Sequence, residues 1–387
     1  MAGPMATRVE VVAPAAPLAD VRPLRVIAFW GLLAAKMLSG WGVQWDIRWH
    51  LLIGRDSFWI PPHVMTYSGV TIGALLASSV LAYDTRLAGR GAPVPGGVTI
   101  FGLTGTRGFH LAWWGMALTI LAAPIDDLWH RLFGVDVTLW SPPHLLGLAG
   151  AQVNTLGCLL IALELWPPAS RAGRWALLAG GTLLLAAFYI TVDPSIQTAF
   201  RRGGVFFFTW AILGACAFAF THVLTARLTA WRLAPLVLAL GALAMHLAGV
   251  SVANAGFALA QPTPAVEEAI ATDPTSPIAV AWEMARLNGA PAPGRSAALR
   301  WMPVLPALLL VLIDARRRWV SAALAHALAL VVASGALFAR LPSLAHALPA
   351  PAEVALAVPL AAVAGLAGGA AAVGLARAFR PDHPLPV

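Results

Sequence analysis

Lysine is nearly missing from this chain: Lys36 is the sole lysine among 25 basic residues. Charge of either sign is scarce, at 11% of residues, where a soluble domain carries about 25%. Cysteine is scarcer still. Cys158 and Cys216 each sit inside an apolar run, which excludes a disulfide framework and a thiolate metal cluster and leaves them as small core residues. The net charge of +8 is not gathered on a soluble basic face, so a nucleic-acid partner is excluded too. The opening "MAGPMATRVEVVAPAAPLADVRP" is too polar and proline-rich for a signal h-region, and reads as a disordered cytoplasmic tail.

What is abundant is apolar length. Hydrophobic residues make up 59% of the 387, and they recur in runs of roughly 20, enough for a helix to cross a ~30 Å hydrocarbon layer. The expected fold class is all-α: a polytopic membrane protein of about ten transmembrane helices, at 24–50, 62–83, 108–131, 142–166, 173–192, 203–226, 230–256, 301–315, 318–339 and 353–377. Arginine, at the high GC-type usage of a bacterial chain, concentrates in alternate connections, among them Arg86, Arg90, Arg171, Arg174, Arg316 and Arg317. The excess of positive charge on the cytoplasmic side then places both termini inside a bacterial inner membrane. Five regions follow: a cytoplasmic tail (1–22), a four-helix duplicated unit (23–166), three helices (167–256), a periplasmic loop with a surface helix near 277–288 (257–300), and three C-terminal helices with a short tail (301–387). The Pro/Gly-rich stretch 84–107 reads as an inner loop.

The duplication is the most informative feature. "WDIRWHLLIGRDSFWIPPH" (Trp45 to His63) returns as "DDLWHRLFGVDVTLWSPPH" (Asp126 to His144). Asp46 aligns with Asp126, His50 with His130, and Pro61-Pro62-His63 with Pro142-Pro143-His144; even Gly69 and Gly150 correspond. Each copy joins an outgoing helix to a returning one, so the repeat is a helical hairpin with a polar outer turn. Aspartate and histidine four residues apart share a helix face. The second histidine follows two prolines that suit a first helical turn, with Ser141 placed to cap the second copy. Two imidazoles and a carboxylate thus converge twice, a donor set for a divalent transition metal. Asp56 and Asp136 are placed to accept an N–H from a ligating ring. Asp127, beside Asp126, is the alternative carboxylate of its copy.

At these residues the chain resembles the C subunit of the copper membrane monooxygenases, a family that includes particulate methane monooxygenase and ammonia monooxygenase. The family's Asp-x3-His-x12-His set falls on Asp46, His50 and His63, with its "WH" at Trp49-His50 and its "RD" at Arg55-Asp56. Its second set, Asn-x3-His-x13-His, falls on Asp126, His130 and His144, with aspartate in place of asparagine. The resemblance covers about residues 45–150. It implies copper at both sets (Arg55 standing beside the first), oxygen-dependent oxidation of a small apolar substrate, and companion membrane and periplasmic subunits. The chain itself runs beyond the family's usual C subunit and contains no cupredoxin-like soluble domain. The same donors also suit iron or zinc.

Three readings follow: a copper-dependent monooxygenase or its metal-bearing subunit, a non-catalytic copper-handling or transport protein, and a purely structural pair of polar turns. Beyond the lipid bilayer, a homo-oligomer is also compatible with the sequence. Elsewhere Lys36 lies deep in the first run, placed for a proton path or for pairing with a neighbouring helix. Gln152 and Asn154 suit helix–helix hydrogen bonds. His222, His246 and His326 lie singly in apolar runs and read as hydrogen-bonded core residues.

Overall fold

The computed structural model describes residues 21–52, 59–133, 141–202, 209–260, 268, 271–275, 303–340 and 349–380. The protein is an all-α polytopic membrane protein. Among the described residues there are ten helices: α1 (Arg22–Leu52), α2 (Pro61–Gly89), α3 (Arg107–Phe133), α4 (Pro142–Leu165), α5 (Arg171–Arg202), α6 (Thr209–Thr229), α7 (Ala234–Ala260), α8 (Val304–Ile313), α9 (Trp319–Arg340) and α10 (Pro351–Phe379). Nine are long and apolar enough to span a bilayer; α8 is the short one. Proline occupies the first helical turn of α2, α4 and α10, where its missing N–H costs nothing. Ser141 precedes α4 in an extended conformation, but its hydroxyl makes no capping bond. The proline pair therefore starts that helix without the expected side-chain cap.

Helices α1 and α2 form one hairpin and α3 and α4 the second, as the repeat requires. The glycine shared by the copies marks a close approach within each hairpin. A Cβ on Gly69 would lie 2.5 Å from the Ala35 carbonyl oxygen and 2.7 Å from the Ser39 nitrogen; on Gly150 it would meet the Thr119 nitrogen and the Gly115 oxygen, each at 2.7 Å. In a bilayer, where helix association depends on close packing, such contacts decide stability. Gly69→Ala and Gly150→Ala should each destabilise the fold by about 1–3 kcal/mol through overpacking. Gly40→Ala, on the same helix as Ala35 but with open space around it, should be neutral or stabilising by up to about 1 kcal/mol. Unfolding curves of the three purified variants give the comparison, and equal losses at all three positions would refute it.

Helix α5 packs against α4, α6 and α7, while α6 carries α9 and α10 against it. Phe29, Leu32, Leu81, Phe109, Leu159, Ile161 and Leu177 are fully buried between the duplicated unit and α5. The ends of α4, α6, α8 and α10 and the starts of α1, α7 and α9 gather at one face, which is rich in arginine. There Arg227 donates to the Arg316 carbonyl at 2.7 Å, Arg232 to those of Val311 and Leu312 at 2.7 and 2.9 Å, and Arg380 to that of Leu228. Cations on the exposed carbonyls of helix C-termini complement the helix dipole. Arg316 also bonds Asp314 at 2.7 Å and holds its carboxyl below the usual carboxylate range.

The stretch 84–107, expected as a loop, is more ordered than that. Helix α2 continues to Gly89, and β1 (Gly97–Ile100) pairs antiparallel with β2 (Leu103–Thr106) in the register Thr99 to Thr104. Phe101 and Gly102 both take positive φ, 49° and 78°, as a tight hairpin turn requires. Three contacts fix the ribbon on the bundle: the Thr104 N–H donates to Thr85 Oγ1 at 2.8 Å, Thr106 donates to Glu164 at 2.6 Å, and His110 bonds the Val98 carbonyl at 3.0 Å. Glycines and prolines around two four-residue strands hide this element from periodicity. The surface helix expected at 277–288 and most of the tail 1–22 lie outside the described residues.

Candidate metal centre

Asp126 and His130 lie on the last two turns of α3, and His144 is the third residue of α4. The packing of α3 against α4 brings them together. Asp126 Oδ1 stands 3.2 Å from Nε2 of His130 and 3.2 Å from Nε2 of His144. One ligand atom from each residue lies within 4.8 Å of the other two. Metal bonds of about 2.0–2.1 Å hold neighbouring donors roughly 2.9–3.4 Å apart between octahedral and tetrahedral angles, so the two aspartate–histidine spacings are those of a chelate. Asp126 Oδ1 is shielded from solvent yet has no hydrogen-bond partner among the described residues. Neither imidazole, though close, is aimed at it as a hydrogen-bond donor. A carboxylate oxygen so held is costly unless something cationic satisfies it.

The side chain of His130 is 9% exposed and that of His144 28%, so the cluster is partly open rather than sealed in the bundle. Asp127 does not join it. It pairs with Arg131 at 2.7 Å, a half-exposed contact one turn along α3, so Asp126 is the carboxylate of the second copy.

The first copy repeats the cross-hairpin contact: Asp46 Oδ1 lies 3.1 Å from His63 Nε2. Position 50 falls on α1 one turn beyond Asp46, but the His50 side chain lies outside the described residues, as do Arg55, Asp56 and Asp136. Around this copy the bundle closes more tightly. Trp45 and Trp49 are buried, and Trp49 stacks on Phe257 of α7 with centroids 5.9 Å apart. Arg48 donates to Asn254 Oδ1 at 2.9 Å and lies over the Phe257 ring. Its counterpart in the second copy is Leu128, 53% exposed. No spacing rule connects Arg48 with Asn254 and Phe257, so the sequence does not show that α7 supports this copy.

His63 also meets Tyr67, ring centroids 5.6 Å apart. Tyr67 lines a shallow groove of about 350 Å³ with Trp59, Val64, Ser68, Thr71 and Ile72. Lys36 donates to the Ala151 carbonyl of α4, which is the helix-pairing role rather than an isolated charge. Asn154 donates to the Ala112 carbonyl at 2.9 Å and so links α4 to α3. Family models, curated proteins and solved structures offer no match to this chain.

Proposed function

We propose that the two hairpin turns are transition-metal centres that hold copper, and that the chain oxidises a small apolar substrate with dioxygen, alone or as the metal-bearing subunit of an assembly. The observation that carries this reading is the Asp126 Oδ1 atom, held 3.2 Å from two imidazole nitrogens and bonded to neither. The chemistry of two imidazoles and a carboxylate leaves positions open for an oxygen ligand. His63 and Asp46 supply the equivalent contact in the first copy. Copper, rather than iron or zinc, follows from the resemblance in residue spacing.

Bound copper would supply the redox chemistry that activates dioxygen. The protein's part is placement. Asp126, His130 and His144 fix the donors, Trp45 and Trp49 exclude water from one side of the first copy, and the groove beside His63 offers an apolar approach from the bilayer. The net reaction converts a C–H bond and dioxygen, with two electrons and two protons from a two-electron organic reductant, to an alcohol and water. In this orientation the arginine-rich face is cytoplasmic and the metal centres face the periplasm of a bacterial inner membrane. The exposed Leu128, Leu132 and Phe133 beside the second centre give a companion subunit or a second copy an apolar surface to cover.

The test is metal analysis of the detergent-purified chain beside His50→Ala and His130→Ala, with quinol-dependent oxygen uptake on a short hydrocarbon. Stoichiometric copper, reduced by each substitution, with uptake that tracks it, is the expected result. Copper without uptake would leave a handling protein, and a wild type without stoichiometric metal would end both readings.

A further inference from the structure

The fold brings His222 of α6 and His326 of α9 together, ring centroids 5.8 Å apart and planes at 68°. Both are fully buried. They are not the hydrogen-bonded core residues that sequence suggests, because among the described residues none of their four ring nitrogens has a hydrogen-bond partner. A neutral imidazole carries one N–H and one lone pair, so two donors and two acceptors are enclosed among apolar side chains. Of the hydroxyls on the same two helices, Thr221 bonds the Ala217 carbonyl at 2.9 Å and Ser334 that of Leu330 at 2.6 Å, while Thr225 Oγ1, one turn from His222, is buried without a partner among the described residues.

Depth and spacing narrow the choice of ligand. His222 lies seven residues before the end of α6 at Thr229, and His326 seven after the start of α9 at Trp319. Both therefore stand roughly 10 Å below the arginine-rich face, toward the opposite side of the bundle from the Asp126 cluster. No third His, Cys, Asp or Glu donor joins them within 4.8 Å among the described residues. With only two neutral donors, a divalent ion would keep its whole charge in an apolar interior. A monovalent d10 ion needs half that compensation and accepts two ligands in line. Two metal–nitrogen bonds of about 2.0 Å set end to end place the nitrogens roughly 4 Å apart, a spacing compatible with rings whose centroids stand 5.8 Å apart.

We propose that His222 and His326 form a two-coordinate intramembrane site for copper(I). The site stands apart from the hairpin centres and does not rest on the function read from them.

The experiment uses the full chain with His50, His63, His130 and His144 replaced by alanine, so that the hairpin centres lose their imidazoles. It is loaded anaerobically with copper(I) against a competing chelator, and separately with silver(I) as a redox-inert probe. The expected result is one retained equivalent of copper(I), an X-ray absorption signature of two nitrogen donors in line, and a silver-induced rise in melting temperature. Adding His222→Leu and His326→Leu should remove the equivalent and the rise together. If that variant does not fold, His326→Gln alone should weaken retention at least about 100-fold. Copper(I) retained undiminished by these substitutions, none retained before them, or a site with three or more donors would overturn the proposal.

Discussion

Asp126→Ala should abolish metal retention at the second hairpin, with affinity falling roughly 100-fold or more, while Asp126→Asn should fall between that variant and wild type. The prediction follows from one atom. Asp126 Oδ1 is within 3.2 Å of both histidine nitrogens, so truncation removes the anionic donor and the point on which the two rings converge. Asparagine keeps an oxygen of similar reach but discards the charge that attracts a divalent ion. Competition titrations on chains lacking His63 of the first copy isolate the effect. Asp127→Ala is the control: its carboxylate is occupied by Arg131 at the surface and should leave affinity unchanged. Equal losses at 126 and 127 would mean that the acidity of the turn, not a defined chelate, attracts the ion.

The duplicated unit was legible because its constraint is local. Aspartate and histidine four apart on a helix end, followed by Pro-Pro-His, fix a face and a turn with little help from the remainder of the chain. The repeat supplied what one copy could not, and the structure brings Asp46 to His63 and Asp126 to His144 at nearly the same distance. The membrane spans were legible for a similar reason, since a bilayer imposes length and apolarity on each helix separately. What stayed hidden depends on partners remote in sequence. Arg48 finds Asn254, and His222 finds His326, only once helices far apart along the chain are packed. The β1–β2 ribbon was missed because its anchors, Thr85 and Glu164, lie on α2 and α4.

The two copies have also diverged in support. The first leans on α7 through Arg48, Trp49 and Phe257, whereas the second presents Leu128 and Phe133 outward. Restraint by a third helix keeps donors in place without an ion. Asn254→Ala should therefore disturb metal retention at the first hairpin and spare the second. The asymmetry assigns distinct tolerances to two turns that share the same Asp-x3-His and Pro-Pro-His residues.

The largest expected loss of stability lies at the other end of the duplicated unit, in a charge pair that no site reading requires. Arg25 of α1 and Asp84 of α2 meet at 2.8 Å, with the aspartate side chain only 1% exposed. A buried pair contributes little net stability compared with apolar residues of similar volume, but removing one partner strands the other charge, at a cost of about 3–5 kcal/mol. Asp84→Ala should show that loss in equilibrium unfolding, and Arg25→Met combined with Asp84→Leu should recover most of it. The double-mutant cycle separates charge stranding from lost packing. Because the pair sits at the arginine-rich face, folded Asp84→Ala protein should retain metal at the hairpin turns as wild type does. A single substitution that costs under about 1 kcal/mol, within the range of exposed ion pairs, would show that water reaches this contact and that the α1–α2 hairpin is held by its glycine seam alone.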